Sequence, residues 1–176
     1  MLRIPEIQGS KFKLREFRFE KDKESIWENV NYPEIVNTLT LEYPYTEEYW
    51  QGFIKINSED NGDYHWMIDV NNKVIGVVSL MSKDKNCHKH IGKFGYWLGK
   101  NYWNQGMMSE AVGLVVKYAF EELNLMKLKI DCLYDNIGSR KIAEKNGFEF
   151  EYVAHKEALM KGEYKDLVYY SKYNSK

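Results

Sequence analysis

The chain has 176 residues, 44% hydrophobic and 15% aromatic, which suits one folded domain spanning 1–176 and disfavours disorder. Lys plus Arg number 25 against 26 Asp plus Glu, a formal charge of -1, so no strong field draws the chain to nucleic acid or to an anionic membrane. The two cysteines, Cys87 and Cys132, give no disulfide framework, residues 1–10 lack the apolar core of a signal peptide, and no run approaches the ~18 apolar residues of a membrane span; the expected setting is reducing and cytoplasmic.

Residues Lys11 to Arg18 alternate apolar and charged side chains and read as a first strand. Lys21 to Val30 and Glu47 to Ile56 read as short helices, with Pro33 and Pro44 punctuating the segment between them. Tyr64 to Val70 and Lys73 to Met81 read as strands joined by an Asn71-Asn72 hairpin turn. Lys83 to Asn86 is a polar turn, and Ile91 to Gly99 the next strand. From Gly106 to Leu123 the helical period is strong: Met108, Ala111, Val112, Val115, Ala119 and Leu123 share one stripe, and Asn124 is a C-terminal stop. Leu128 to Leu133, with little polarity, reads as a central strand, Ser139 to Lys145 as a short helix ended by Asn146-Gly147, and Phe148 to Val153 and Glu163 to Tyr173 as closing strands. The order β-α-α-β-β-β-α-β-α-β-β predicts an α/β (α+β) domain, with a mixed sheet of about seven strands flanked by about four helices.

The stretch from Gly95 to Ala111, GYWLGKNYWNQGMMSEA, runs from a strand through a glycine-containing loop into the long helix. Amides at a helix N-terminus have no intrahelical partner and carry partial positive charge, which makes an anion site. Gly106 has no Cβ to hold a phosphate away from the backbone. The loop therefore suits a pyrophosphate, although an ordinary strand-to-helix turn has the same spacing.

The segment resembles the acetyl-CoA loop of the GNAT superfamily, in its RimJ/RimL-like branch. Ile75-Gly76, Tyr118-Ala119-Phe120, Leu123-Asn124-Leu125, Asn136-x-x-Ser139, Glu144-Lys145-Asn146-Gly147-Phe148 and the closing GEYKDLVYY from Gly162 recur in order, and the likeness covers roughly residues 10 to 173. It implies transfer of an acetyl group from acetyl-CoA to a primary amine by direct attack on the thioester. It implies that acetyl-CoA contacts Trp97, Leu98, Asn104, Gln105, Gly106, Met107, Met108, Ser109, Asn136, Ser139 and Lys141, and that no metal takes part. The thioester oxygen would meet backbone amides where the strand at 91–99 bulges, near Trp97 and Leu98. Asn136 would align the pantetheine. Three positions depart from the pattern: Trp103 and Met108 stand where the loop ordinarily has Gln or Arg and Gly or Ala, and Ala143 stands where many members carry a tyrosine that protonates the leaving thiolate. Ser139 is the substitute donor. Tyr96, His90 and Glu42 are candidate bases, with structural roles as the commoner alternative for each. The resemblance also implies pairing with a second copy, for which the aromatic strand Leu167 to Tyr173 offers apolar surface.

The acceptor expected from the resemblance is a protein or peptide α-amine, a ribosomal protein included. Polyamines or aminoglycosides are the alternative, as is a non-catalytic acyl-CoA-binding module. Cys87-His88-Lys89-His90 lacks a second cluster to complete a zinc site and reads as a hairpin end. The lysine-rich run Lys83 to Lys93 reads as a solvated face or, more sharply, as a site for an acidic substrate. Trp27, Tyr43, Tyr45, Tyr49 and Trp50 read as core or as a substrate flap.

Overall fold

The computed structural model describes residues 4–39, 41, 43–58, 62–82 and 88–175. The strands are β1 (Ile7–Gln8), β2 (Lys13–Arg15), β3 (Tyr64–Val70), β4 (Lys73–Ser82), β5 (Ile91–Leu98), β6 (Lys127–Leu133), β7 (Glu149–Met160) and β8 (Glu163–Tyr173). The helices are α1 (Lys23–Val30), α2 (Pro33–Val36), α3 (Glu47–Ser58), α4 (Met107–Glu121) and α5 (Ile137–Lys145). One mixed sheet runs β1-β2-β3-β4-β5-β6-β8-β7, in which only β5 and β6 pair in parallel.

This is the expected α/β domain with one strand and one helix more. The added strand, Ile7–Gln8, is held by two register pairs to β2, too short a pattern to read from alternation. The added helix starts at Pro33, whose fixed φ suits a first helical position, with Tyr32 before it in an extended conformation. Strand β2 is shorter than Lys11 to Arg18 because only Lys13–Arg15 pair with β3, and the amide of Arg18 turns to the Asp22 carboxylate instead. Strand β7 runs past Val153 because a bulge at 154–158, with Lys156 at φ 55, absorbs the polar triplet that hides its alternation.

The sheet is packed on both faces. Residues Leu14, Trp66, Ile68, Ile75, Val78, Leu128, Ile130, Val168 and Tyr170 form one core with the buried stripe of α4. Residues Met67, Val74 and Val77 face the other way, onto Ile26 and Val30 of α1, Ile35 and Val36 of α2, and Trp50 of α3. Trp27, Tyr45, Tyr49 and Trp50 belong to this second core, so the aromatic cluster is packing rather than a flap; Tyr43 is exposed. The strand Leu167 to Tyr173 lies inside the sheet, paired on both edges; Val168 and Tyr170 are buried, Leu167 and Tyr169 half-buried and Tyr173 exposed. Among the described residues no helix is long and apolar enough to cross a membrane.

Candidate active site

The parallel pair β5–β6 is joined at only three positions, Ile91↔Lys127, Gly92↔Leu128 and Lys93↔Lys129. Beyond them β5 continues to Leu98 beside β4 alone, and β6 continues to Leu133 beside β8 alone. The two strands splay, and a cleft of about 1040 Å³ opens between their C-terminal ends. Ligand sites favour this place, where the ends of parallel strands meet a helix N-terminus.

Which amides face the gap follows from strand alternation. The amide of Gly99 donates to the Ile75 carbonyl at 2.7 Å, so residue 99 turns its polar groups to β4. Successive residues of an antiparallel strand alternate sides, and the β4–β5 register runs without a shift from Gly76↔Leu98 to Ser82↔Gly92. Trp97 therefore belongs to the β4 ladder, whereas Tyr96 and Leu98 turn their backbone groups to the gap. The expected bulge is absent against β4; divergence from β6 frees the amide instead, and of the two expected donors only Leu98 has it. The close approach at this end depends on Gly76, where a Cβ would lie 2.5 Å from the Trp97 carbonyl oxygen.

The second wall is the start of α4. Its N-cap is Gly106, at φ 79, ψ -8, and it offers no side-chain cap to the first turn. The amide of Glu110 is the first to find its helical partner, the Gly106 carbonyl, which leaves those of Met107, Met108 and Ser109 without one. A Cβ at Gly106 would meet no protein atom within 4 Å, so the space before these amides is open to a ligand. Met107 and Met108 bury their side chains in the core and contribute backbone alone. Ser109 faces the cleft, where its carbonyl and hydroxyl oxygens accept from Asn146 Nδ2 at 3.1 and 3.3 Å. Asn104, at φ 60, lines the cleft, but Gln105 does not: its side chain turns back to the Asn101 carbonyl at 3.0 Å.

The third wall is the start of α5. Asn136 is its N-cap, and Oδ1 accepts from the Ser139 amide at 3.1 Å. The cap fixes Ser139 in the first turn, buried, with its Oγ 2.8 Å from the Tyr96 hydroxyl. Burial pushes the Tyr96 hydroxyl far above the usual tyrosine range, against the smaller opposing effect of the Ser139 bond. A hydroxyl so placed keeps its proton, which favours hydrogen bonding over base chemistry at Tyr96. Ala143, where the tyrosine of the pattern would stand, is fully buried in the core. A tyrosine hydroxyl still reaches this part of the cleft, but from β5. Lys141 and Lys145 of α5 also line the cleft, and bring positive charge to the side where α4 begins.

Of the other candidate bases, His90 is exposed in the turn before β5, at the opposite end of that strand from Leu98, and stands outside the cleft. Glu42, like Cys87 of the candidate metal cluster and residues 83–87 of the lysine-rich run, lies outside the described residues. Among the described residues no group of three His, Cys, Asp or Glu could hold a metal.

The fold also brings in residues that the sequence reading missed. Glu34, Ile35 and Thr38 reach the cleft from α2 and the turn after it, Tyr134 and Asp135 from the loop after β6, and Tyr164, Lys165 and Asp166 from β8. Pro33 was the one signal for the first group; nothing local marked the others. The Lys100 ammonium holds the Glu34 carboxyl below the usual range. The Lys156 amide and His155 do the same for Asp166, which ties down the β7 bulge by accepting from both at 2.8 Å.

A family model described as an acetyltransferase (GNAT) domain matches residues 11–149. The chain belongs to the GNAT acetyltransferase family. It is 36% identical over 110 residues to the probable N-acetyltransferase YjcK of Bacillus subtilis, a match that covers 61% of this chain and spans only 60% of that relative's length. It is 28% identical to the uncharacterized N-acetyltransferase YnaD of the same organism, over 94% of this chain and 95% of the relative. To the ribosomal-protein-serine acetyltransferase of Escherichia coli it is 24% identical, over 86% and 81% of the two chains. The crystal structure of a GNAT-family acetyltransferase from Bacillus anthracis superposes with a TM-score of 0.86 at 24% identity, covering 98% of this chain and all of the other, and shares its fold.

An acetyl-CoA molecule fits these walls. The α4 amides and the lysines of α5 suit its phosphates, the splay exposes strand edges to its pantetheine, and the open space at Gly106 leaves the backbone accessible.

Proposed function

We propose that the chain transfers an acetyl group from acetyl-CoA to a primary amine, and that the acceptor is a protein or peptide α-amine. The observation that carries the reading is the convergence, in one cleft, of the unpartnered α4 amides, the free Leu98 amide and the Tyr96–Ser139 pair. The acceptor nitrogen attacks the thioester carbonyl carbon. As the C–N bond forms and the C–S bond breaks, the Leu98 amide donates to the oxygen that gains negative charge, an interaction worth ~2.7–4 kcal/mol in a well-formed oxyanion site. The amine gives up its proton to solvent as the amide forms, CoA departs as the thiolate, and the Ser139 hydroxyl, held by the Tyr96 hydroxyl, donates a hydrogen bond to the departing sulfur. Asn136 holds the Ser139 turn in place and offers its amide group to the pantetheine. Lys141 serves the phosphates.

The base chemistry of the cleft supports an α-amine. Tyr96 stays protonated, and the Glu34 and Asp166 carboxylates are held below their usual range, which makes them weak bases. Such a site works best on an amine that is already partly neutral. At pH ~7.4 roughly a fifth to a third of α-amines are neutral, against about one lysine in a thousand, a difference of ~3–4 kcal/mol. The resemblance to the RimJ/RimL-like branch and the ribosomal-protein relative support the same class, with a cytoplasmic setting to match.

The test is a competition with acetyl-CoA among three acceptors: a lysine-free peptide with a free N-terminus, an N-terminally blocked peptide with one lysine, and spermidine. The free N-terminus is expected to be acetylated fastest. Faster modification of the blocked peptide or of spermidine would overturn the acceptor class, and no acetyl transfer to any amine would leave a binding module.

A further inference from the structure

The free edge of β5 has a defect for the task just assigned to it. A residue that turns its amide to the gap turns its carbonyl there too. At Leu98 the carbonyl would then present partial negative charge beside the place where the thioester oxygen becomes an anion. In this chain that carbonyl is covered: the indole Nε1 of Trp103 donates to it at 2.7 Å. Trp103 stands on the loop between β5 and α4, lines the cleft and is 39% exposed. The peptide unit that joins Leu98 to Gly99 is thereby held at both polar atoms, its oxygen by Trp103 and its nitrogen by the Ile75 carbonyl.

The geometry points to Trp103 as a positioning residue for the acetyl transfer, which masks the Leu98 carbonyl so that residue 98 presents its amide to the cleft without its carbonyl. The inference rests on the proposed reading of the cleft as an acetyl-CoA site. Its consequence is specific. The indole N–H matters more than the ring, and it matters more once charge has developed than in the ground state, because a carbonyl dipole repels an oxyanion more than it repels a neutral thioester. Loss of the N–H therefore lowers kcat and leaves the KM for acetyl-CoA nearly unchanged.

The experiment compares Trp103→Phe and Trp103→Arg with the unaltered chain, by steady-state kinetics and by calorimetric titration with CoA. Phe keeps an aromatic ring without the donor. Arg gives up the ring but carries Nε at a reach close to that of the indole nitrogen. The expected result is a drop in kcat of about tenfold for Phe, on the scale by which lost positioning and oxyanion contacts slow enzymes. KM and CoA affinity should stay within about twofold, and Arg should recover most of the loss. Equal kcat for Phe and the unaltered chain would overturn the inference, as would a folded, CoA-binding Arg variant whose kcat is no better than that of Phe. Should Phe fail to fold, the Arg variant decides alone: a kcat within about threefold of the unaltered chain supports the inference, and a loss of about tenfold or more in a folded, CoA-binding Arg variant overturns it. No CoA binding by the unaltered chain would instead overturn the acetyl-CoA reading on which the inference stands.

Discussion

Helices α4 and α5 begin at the same cleft and solve the problem of their first turns in opposite ways. Helix α5 caps itself: Asn136 accepts from the Ser139 amide, and the turn is complete without a ligand. Helix α4 begins at a left-handed glycine with no side-chain cap, and open space lies in front of it. A glycine at the helix start gives up only a few tenths of a kcal/mol relative to Ser, Asn or Asp. That the longer helix has no side-chain cap where the shorter one has one accords with the proposed anion site at its start. The self-capped helix supplies a fixed side chain, and the uncapped one supplies bare backbone.

The sharpest way to break this comparison is Gly106→Val. The left-handed φ of 79 is strained for a branched residue, at a cost of ~1–3 kcal/mol, and the added carbons enter the space reserved for phosphate. Acetyl-CoA binding followed by calorimetry should weaken by more than about tenfold, or ~1.4 kcal/mol. Retained affinity in a folded Val variant would mean that the α4 amides do not bind the cofactor.

Next in size is Tyr96→Phe, which tests what the capped helix holds in place. Turnover should fall roughly tenfold, less than the ~100-fold or more that a direct proton donor supplies, because Ser139 remains. Burial keeps the Tyr96 proton on throughout the neutral range, so the pH–rate profile from roughly pH 6 to 9 should drop in height without a shift in its limbs. A shifted limb would show that Tyr96 titrates during turnover after all.

The smallest effect separates the two duties of Asn136. Asn136→Ala should cost ~1 kcal/mol in stability, seen as a fall of ~2–4 °C in Tm. Asn136→Ser should restore the cap, and so Tm, but not turnover, because the serine brings no amide group to the pantetheine. Full turnover in the Ser variant would reduce Asn136 to a helix cap.

Local chemistry made much of this legible in the chain. The α4 stripe, the Asn71-Asn72 turn with both residues at positive φ, the glycine at the α4 start and the Asn136–Ser139 spacing are each written within a few neighbouring residues. They stood out because helix period, turn conformation and capping are short-range effects. The resemblance built on them gave the family. It could not say that the Trp97 amide turns to β4 or that the Gln105 side chain turns to the Asn101 carbonyl, because the direction of a backbone amide and the turn of an exposed side chain depend on neighbours that no motif records.

What the tertiary structure alone decided is how distant segments complete the site. Tyr96 meets Ser139 across 43 positions of sequence, and their bond sets two hydroxyls side by side in the cleft. Glu34, Tyr134 and Asp166 join the cleft from three elements that share no pattern. The splay itself is a matter of where the ladder between β5 and β6 stops, after Lys93 and Lys129. Sequence determined which segments could be helix or strand and where an anion could bind, since those follow from neighbours along the chain. The Tyr96–Ser139 pair and the free edge of β5 follow from neighbours across space, and those exist only once the sheet has closed.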